Sequence, residues 1–167
     1  IQAWVVRFFE TQRAEDVAGY LALWSAKAQR PRPDQLAFIF DSGDDKFIDV
    51  TVSRAVVSGD TARLRVSATR VRTDPRFKDP DGSPRILTTP PQVGLSLVRE
   101  TDGWKVVREG APADELAAAL IETDAHDARK AVLASEPDLV NVRLVEAIAR
   151  RADALAQVQQ FRQAQAI

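Results

Sequence analysis

The period of the hydrophobic pattern changes twice along this chain, and those two changes bound what it can fold into. Up to about residue 40 the apolar residues recur every three to four positions. From Ile48 to Arg108 they alternate. After Pro112 the three-to-four spacing returns in an Ala-rich segment. Helices followed by a run of antiparallel strands predict an α+β domain, and the last segment predicts an all-helical extension.

The first helix carries Trp4, Val5, Phe8 and Phe9. A second starts near Asp16, a first-turn or capping acid, and carries Val17, Tyr20, Leu21 and Trp24. Gln29-Arg30-Pro31-Arg32-Pro33 breaks it. A short third helix over 34–40 presents Leu36, Phe38, Ile39 and Phe40.

In the first strand Ile48, Val50, Val52 and Val56 alternate with polar residues, and Arg54 falls in the same phase. In the second, Ala62, Leu64, Val66 and Ala68 lead to Arg70. Both apolar sets must share one face. A three-residue loop, Ser58-Gly59-Asp60, aligns them and sets Val52 opposite Val66, whereas a two-residue loop would not. Val93, Leu95 and Leu97 mark a third strand and Trp104 and Val106 a fourth, with Arg99 and Arg108 continuing the two phases. An Asp102-Gly103 turn joins them. The proline-rich stretch 73–91 between the hairpins is a surface excursion with an extended hairpin tip at Asp81-Gly82.

The helical segment divides into 113–122 (Leu116, Leu120, Ile121), a helix capped by Asp124, a third opening at Pro137, and a last one bearing Leu155, Val158, Phe161 and Ala164. Residues 1–110 hold 17 basic against 15 acidic side chains, and 111–167 hold 6 against 9. We place the boundary between domains at 111/112. The chain starts without Met and stops in helical periodicity, so it reads as a processed or excised piece of a longer protein.

Composition removes several chemistries. There is no cysteine and one histidine, His126. Disulfides, thiolate nucleophiles and a His/Cys metal site are therefore not expected. His126 reads as a surface residue in a first helical turn. No phosphate-cradling or nucleophile-elbow motif is present, so no cofactor is expected. A net charge of −1 does not suit a general nucleic-acid binder. No apolar run approaches the length of a membrane span. The compartment stays open between cytoplasmic and exported after signal removal; the missing Met and Cys fit an exported form, and a cut piece of a longer chain equally well.

Two stretches carry a family likeness. One is Val5-Val6-Arg7-Phe8-Phe9 followed by Glu15-Asp16-Val17-Ala18-Gly19-Tyr20-Leu21-Ala22-Leu23-Trp24. The other is the hairpin Leu97 to Val107 with Asp102-Gly103-Trp104 at its turn. Together they resemble the NTF2-like (SnoaL-like) domain. The resemblance implies a cone of N-terminal helices packed on a curved antiparallel sheet, burying Trp4, Phe8, Phe9, Tyr20, Trp24 and Trp104. Residues 155–164 resemble the start of a tetratricopeptide array. The pairing of the two is similar to the N-terminal parts of large bacterial proteins, including ones with a CHAT peptidase domain.

The pocket candidates are Tyr20, Trp24, Arg54, Arg70, Trp104 and Arg108. The arginines suit a carboxylate or phosphate at the open end of the cone. The plainer alternative is strand ends reaching solvent and core aromatics. Arg63, Arg65, Arg72, Arg76, Lys78 and Arg85 read as a solvated face. No Asp or Glu falls in the apolar phase of the strands, so the paired acid and base of an isomerase-type cone is not expected. The reading is a non-catalytic ligand- or protein-binding module. Its partner is a protein, downstream domains of the same chain, or a small apolar or anionic ligand. The alternative is a small isomerase- or dehydratase-type enzyme with an apolar pocket.

Overall fold

The computed structural model describes residues 1–89 and 91–165, with backbone alone at Pro75 and 160–165. The elements run α1 (Gln2–Arg13), α2 (Val17–Ala22), α3 (Pro33–Asp41), β1 (Asp44–Ser58), β2 (Thr61–Lys78), β3 (Pro84–Thr89), β4 (Gln92–Glu100), β5 (Gly103–Gly110), α4 (Pro112–Glu122), α5 (His126–Ser135), a 3-10 turn (Pro137–Leu139) and α6 (Val142–Gln165). The chain divides into two compact units, residues 1–109 and 110 onward.

In the first unit three helices pack on one antiparallel sheet of order β1-β2-β4-β5. β3 and β4 lie end to end along the same edge of β2, because β2 pairs β4 over 61–67 and β3 over 70–78. The expected hairpin tip at Asp81-Gly82 is there, closing the β2–β3 arm. Ala62, Leu64, Val66, Leu95, Leu97 and Val106 form the buried sheet face, and Val5, Phe8, Phe9, Tyr20, Trp24, Leu36 and Phe40 cover it.

α1 ends in a Schellman motif. The Asp16 N–H donates to the Thr11 carbonyl at 2.9 Å and the Glu15 N–H to that of Gln12 at 3.1 Å. Glu15 occupies the left-handed position at φ 55°. Asp16 then caps α2, its carboxylate accepting from the Gly19 N–H at 2.8 Å. α2 stops at Ala22, so Trp24 is not helical as expected. Instead Leu23–Ser25 runs along the free edge of β5. The Ser25 N–H donates to the Val106 carbonyl and the Val106 N–H to that of Leu23, both at 2.8 Å. This covers an edge that would otherwise be open.

The first hairpin corrects the expected loop. Ser58 pairs with Thr61, leaving the two-residue turn Gly59-Asp60. Val52 still faces Val66, because β1 inserts an extra residue between Val52 and Arg54. A second irregularity between Ile48 and Thr51, with Asp49 at φ 55°, reverses the phase again. Phe47 therefore packs on the core and Ile48 is 49% exposed, against the expectation that Ile48 is a core residue. In the last hairpin the turn residues are Thr101 and Asp102, one residue earlier than expected. Gly103 opens β5 at φ 118°, a conformation that favours glycine.

In the second unit Leu116, Ala117, Leu120, Leu144 and Ala147 form a small core. Asp124 does not cap α5; Ala125 precedes it with no side-chain cap. Pro137 opens only a single 3-10 turn, and the two helices expected after it are one helix, α6, of 24 residues. The side chains of Phe161 and Ala164, and residues 166–167, lie outside the described residues. Among the described residues no helix is long and apolar enough to cross a membrane.

Candidate functional site

The interior of the first unit is built around Phe8. Trp4 stacks on it at a centroid distance of 5.7 Å, Phe9 meets it edge-on at 5.4 Å, and Tyr20 leans on it at 5.2 Å. Tyr20 also meets Phe40 edge-on at 6.1 Å and Trp24 at 6.2 Å. These rings fill the space between the helices and the sheet.

Tyr20 is 4% exposed and donates its phenol proton to Glu109 Oε2. Burial pushes the phenol pKa far above its ordinary value, and the neighbouring Glu109 carboxylate adds to the effect. The Trp24 indole Nε1 is buried without a hydrogen bond among the described residues. Glu109 is the group the sequence reasoning missed. It lies on the polar phase of β5, beside Arg108. Its position near the strand end, where alternation no longer decides what a side chain meets, is the one sequence signal it carries.

The remaining candidates separate. Arg54 does not share the core face: the extra residue in β1 sets it opposite Arg65, on the face away from Leu64 and Val66. Arg70 does share it, paired with Phe47 along the strands, but its guanidinium is held by Asp45 through two bonds of 2.7 and 2.6 Å. Arg72 joins the same carboxylate at 3.3 Å and also bonds Ser42. Trp104 is half-buried against the core, with the exposed Arg99 guanidinium over its ring at 5.2 Å. Arg108 reaches Ser96 Oγ at 3.4 Å. Ring contact brings Tyr20 and Trp24 together, and Trp104 packs against the same cluster. Arg70 belongs to an internal ion-pair cluster instead.

Of the expected solvated face, Arg76 grips Asp74 with bonds of 2.9 and 2.7 Å. That hydrogen bonding holds the Asp74 carboxyl down to about 2. Among the described residues no three His, Asp or Glu side chains gather in a way that could hold a metal ion.

A separate polar cleft of about 400 Å³ lies where α2 meets the β4–β5 turn. Buried Ser25 donates to Glu100 at 2.7 Å. Arg30 donates to the backbone carbonyls of Ser25 and Trp24 at 2.9 and 3.2 Å. Lys105 donates to the Ala22 carbonyl at 2.8 Å and pairs with Asp102 at 2.6 Å. These bonds tie the α2 end to the hairpin.

No family model and no curated protein matches this sequence. Solved structures do match its fold. One is a protein named as a candidate dehydratase of the NTF2-like family from Streptomyces avermitilis. It is 19% identical, with 64% of this chain and 89% of that chain covered and a TM-score of 0.51. Another is an NTF2-like superfamily protein from Salmonella enterica serovar Typhimurium, 11% identical, with 66% and 87% covered and a TM-score of 0.52. A third is the intermembrane space region of the chloroplast protein ARC6, 11% identical, with 65% and 91% covered and a TM-score of 0.51. At these identities the likeness shows the fold, an NTF2-like curled sheet with helices, and not an activity.

Proposed function

We propose that this chain is a non-catalytic module that works by binding protein through its surface. The carrying observation is the filled interior: Phe8, Tyr20, Trp24 and Phe40 pack ring against ring where an NTF2-like enzyme would admit a substrate. In this reading residues 1–111 are the NTF2-like domain. Residues 112–167 open a tetratricopeptide-like region of a larger multidomain protein of the CHAT type. The half-exposed Leu155 and Val158 on one side of α6 support that part.

The second reading is a small isomerase or dehydratase. The Tyr20–Glu109 pair favours it, since a phenol and a carboxylate are groups that general acid–base chemistry uses. Against it, the phenol proton is already committed to Glu109 and the ring is enclosed.

All three tryptophans of the chain, Trp4, Trp24 and Trp104, pack in or against this interior. Their fluorescence is therefore a direct reporter. Titration with soluble apolar ring compounds and short acyl esters is expected to leave the emission unchanged. A saturable quench or blue shift would overturn the binding-module reading in favour of the enzyme.

A further inference from the structure

The second unit carries an apolar groove of about 510 Å³ between α4, α5 and α6. Leu120 and Ile121 line it from α4, Leu133 from α5 and Ile148 from α6. His126, Arg129 and Lys130 complete it. The four α5 residues stand at i, i+3, i+4 and i+7, so they form one helical face. That face is basic over its first turns and apolar at its end.

Folding accounts for only part of this distribution: Arg129 Nε satisfies carbonyls at the end of α4, but the rest of the cationic rim has no such role among the described residues. Arg129 and Lys130 are the fourth and fifth residues of α5, so neither meets the carbonyl end of its own helix, where cations are favoured. No α5 residue is fully buried, and only Val132 and Leu133 of the helix pack half-buried on the small core. Arg129 is anchored through Nε, which donates to the carbonyls of Leu120 at 3.2 Å and Thr123 at 2.5 Å. Its Nη groups make no hydrogen bond among the described residues, and His126 makes neither hydrogen bond nor ion pair there. Among the described residues Lys130 pairs with Asp127 alone, at 3.9 Å, and both side chains are largely exposed. Such a pair contributes little. The result is an apolar floor whose rim carries the Arg129 Nη groups, Lys130 and His126, weakly paired or unpaired among the described residues.

We infer that this groove docks an amphipathic α-helix from a partner protein, apolar on one side and acidic along its flank. The inference rests on the reading that the chain works by binding protein, and it names the surface and the chemistry of the partner. The occupant is argued from charge and dimension. The α5 face from His126 to Leu133 spans seven residues, about 10 Å of helix rise, the distance from i to i+7 on an incoming helix. The apolar anchors of that helix meet Leu120, Ile121, Leu133 and Ile148. Its Glu or Asp side chains meet Arg129 and Lys130. The groove is open along one side, unlike the enclosure that a small ligand needs for its own burial.

The test titrates the whole chain with a fluorescent 16-residue helical peptide bearing Leu at i, i+3, i+4 and i+7 and Glu on the flank. A twin peptide carries Lys in place of Glu. Anisotropy is expected to show saturable binding of the Glu peptide, weakening with added salt, with the Lys peptide about fivefold weaker or worse. Amide shifts are expected to map to α4, α5 and the first half of α6. The double variant H126E/K130E is expected to invert the preference, and its unchanged circular dichroism would show that it is folded. Equal binding of both peptides, shifts mapping elsewhere, or an uninverted preference overturns the inference. So does dodecanoate filling the groove while neither peptide binds. Because the tryptophans lie outside this unit, a silent fluorescence titration together with failed peptide binding sinks the groove and leaves the binding-module reading standing. A positive fluorescence titration sinks that reading by itself.

Discussion

Tyr20 is the residue on which the interior turns, and its behaviour is open to a clean measurement because it is the only tyrosine in the chain. Burial and the Glu109 carboxylate raise its folded pKa above the ordinary value of 10. A raised phenol pKa means that stability is fully present below pH 10. It is lost as pH climbs past 10, because the unfolded chain releases the proton first. Absorbance at 295 nm is therefore expected to show no tyrosinate near pH 10, and then to rise together with unfolding followed by circular dichroism. Tyrosinate forming at pH 10 in a folded protein would contradict the enclosed pair. The aromatic half of this site was legible in the sequence, since helical spacing places Tyr20 inside. Glu109 was not, because alternation assigns it to the polar face. A strand end beside a helix escapes that alternation: what decides is which helix crosses there.

The elements show the same division. The two N-terminal helices follow from apolar spacing and from Asp16, whose carboxylate caps α2 as expected. Between them, Glu15 holds a left-handed conformation that a side chain adopts at a cost. Glu15→Gly is expected to stabilise the protein by about 1 kcal/mol, read as a rise in the urea midpoint at unchanged slope. An unchanged or lower midpoint would mean that the Glu15 side chain does more than occupy the cap. In the sheet, the need for Val52 and Val66 to share a face was legible, but the device was not. A longer turn and a bulge restore phase equally well on paper. The protein uses bulges in β1, and they carry Arg54 to the outer face and Ile48 to the surface. Likewise a break was expected within α6 where the helix is continuous, because Ala-rich helical spacing carries no strong signal of where one helix ends.

At the scale of the whole molecule the interior of the first unit is one cluster with Phe8, fully buried, at its centre. Phe8→Ala is expected to cost about 3–5 kcal/mol, the range for removing a large ring from a packed core. It is also expected to open the space that the natural protein fills. The variant should then bind apolar ring compounds that leave the wild-type tryptophan emission unchanged. A small loss of stability with no gain of binding would mean that the neighbours collapse into the gap. The sequence by itself determined the α+β class, the order of helices and strands, the inward aromatics and the all-helical extension, because those depend on residue type and spacing along the chain. Only the tertiary structure decided that Tyr20 meets Glu109, that Asp45 occupies Arg70, that Arg54 turns away, and that His126, Arg129 and Lys130 border an apolar groove. Each of those depends on strand register or helix crossing, where a shift of one residue reverses a face at almost no change in local preference.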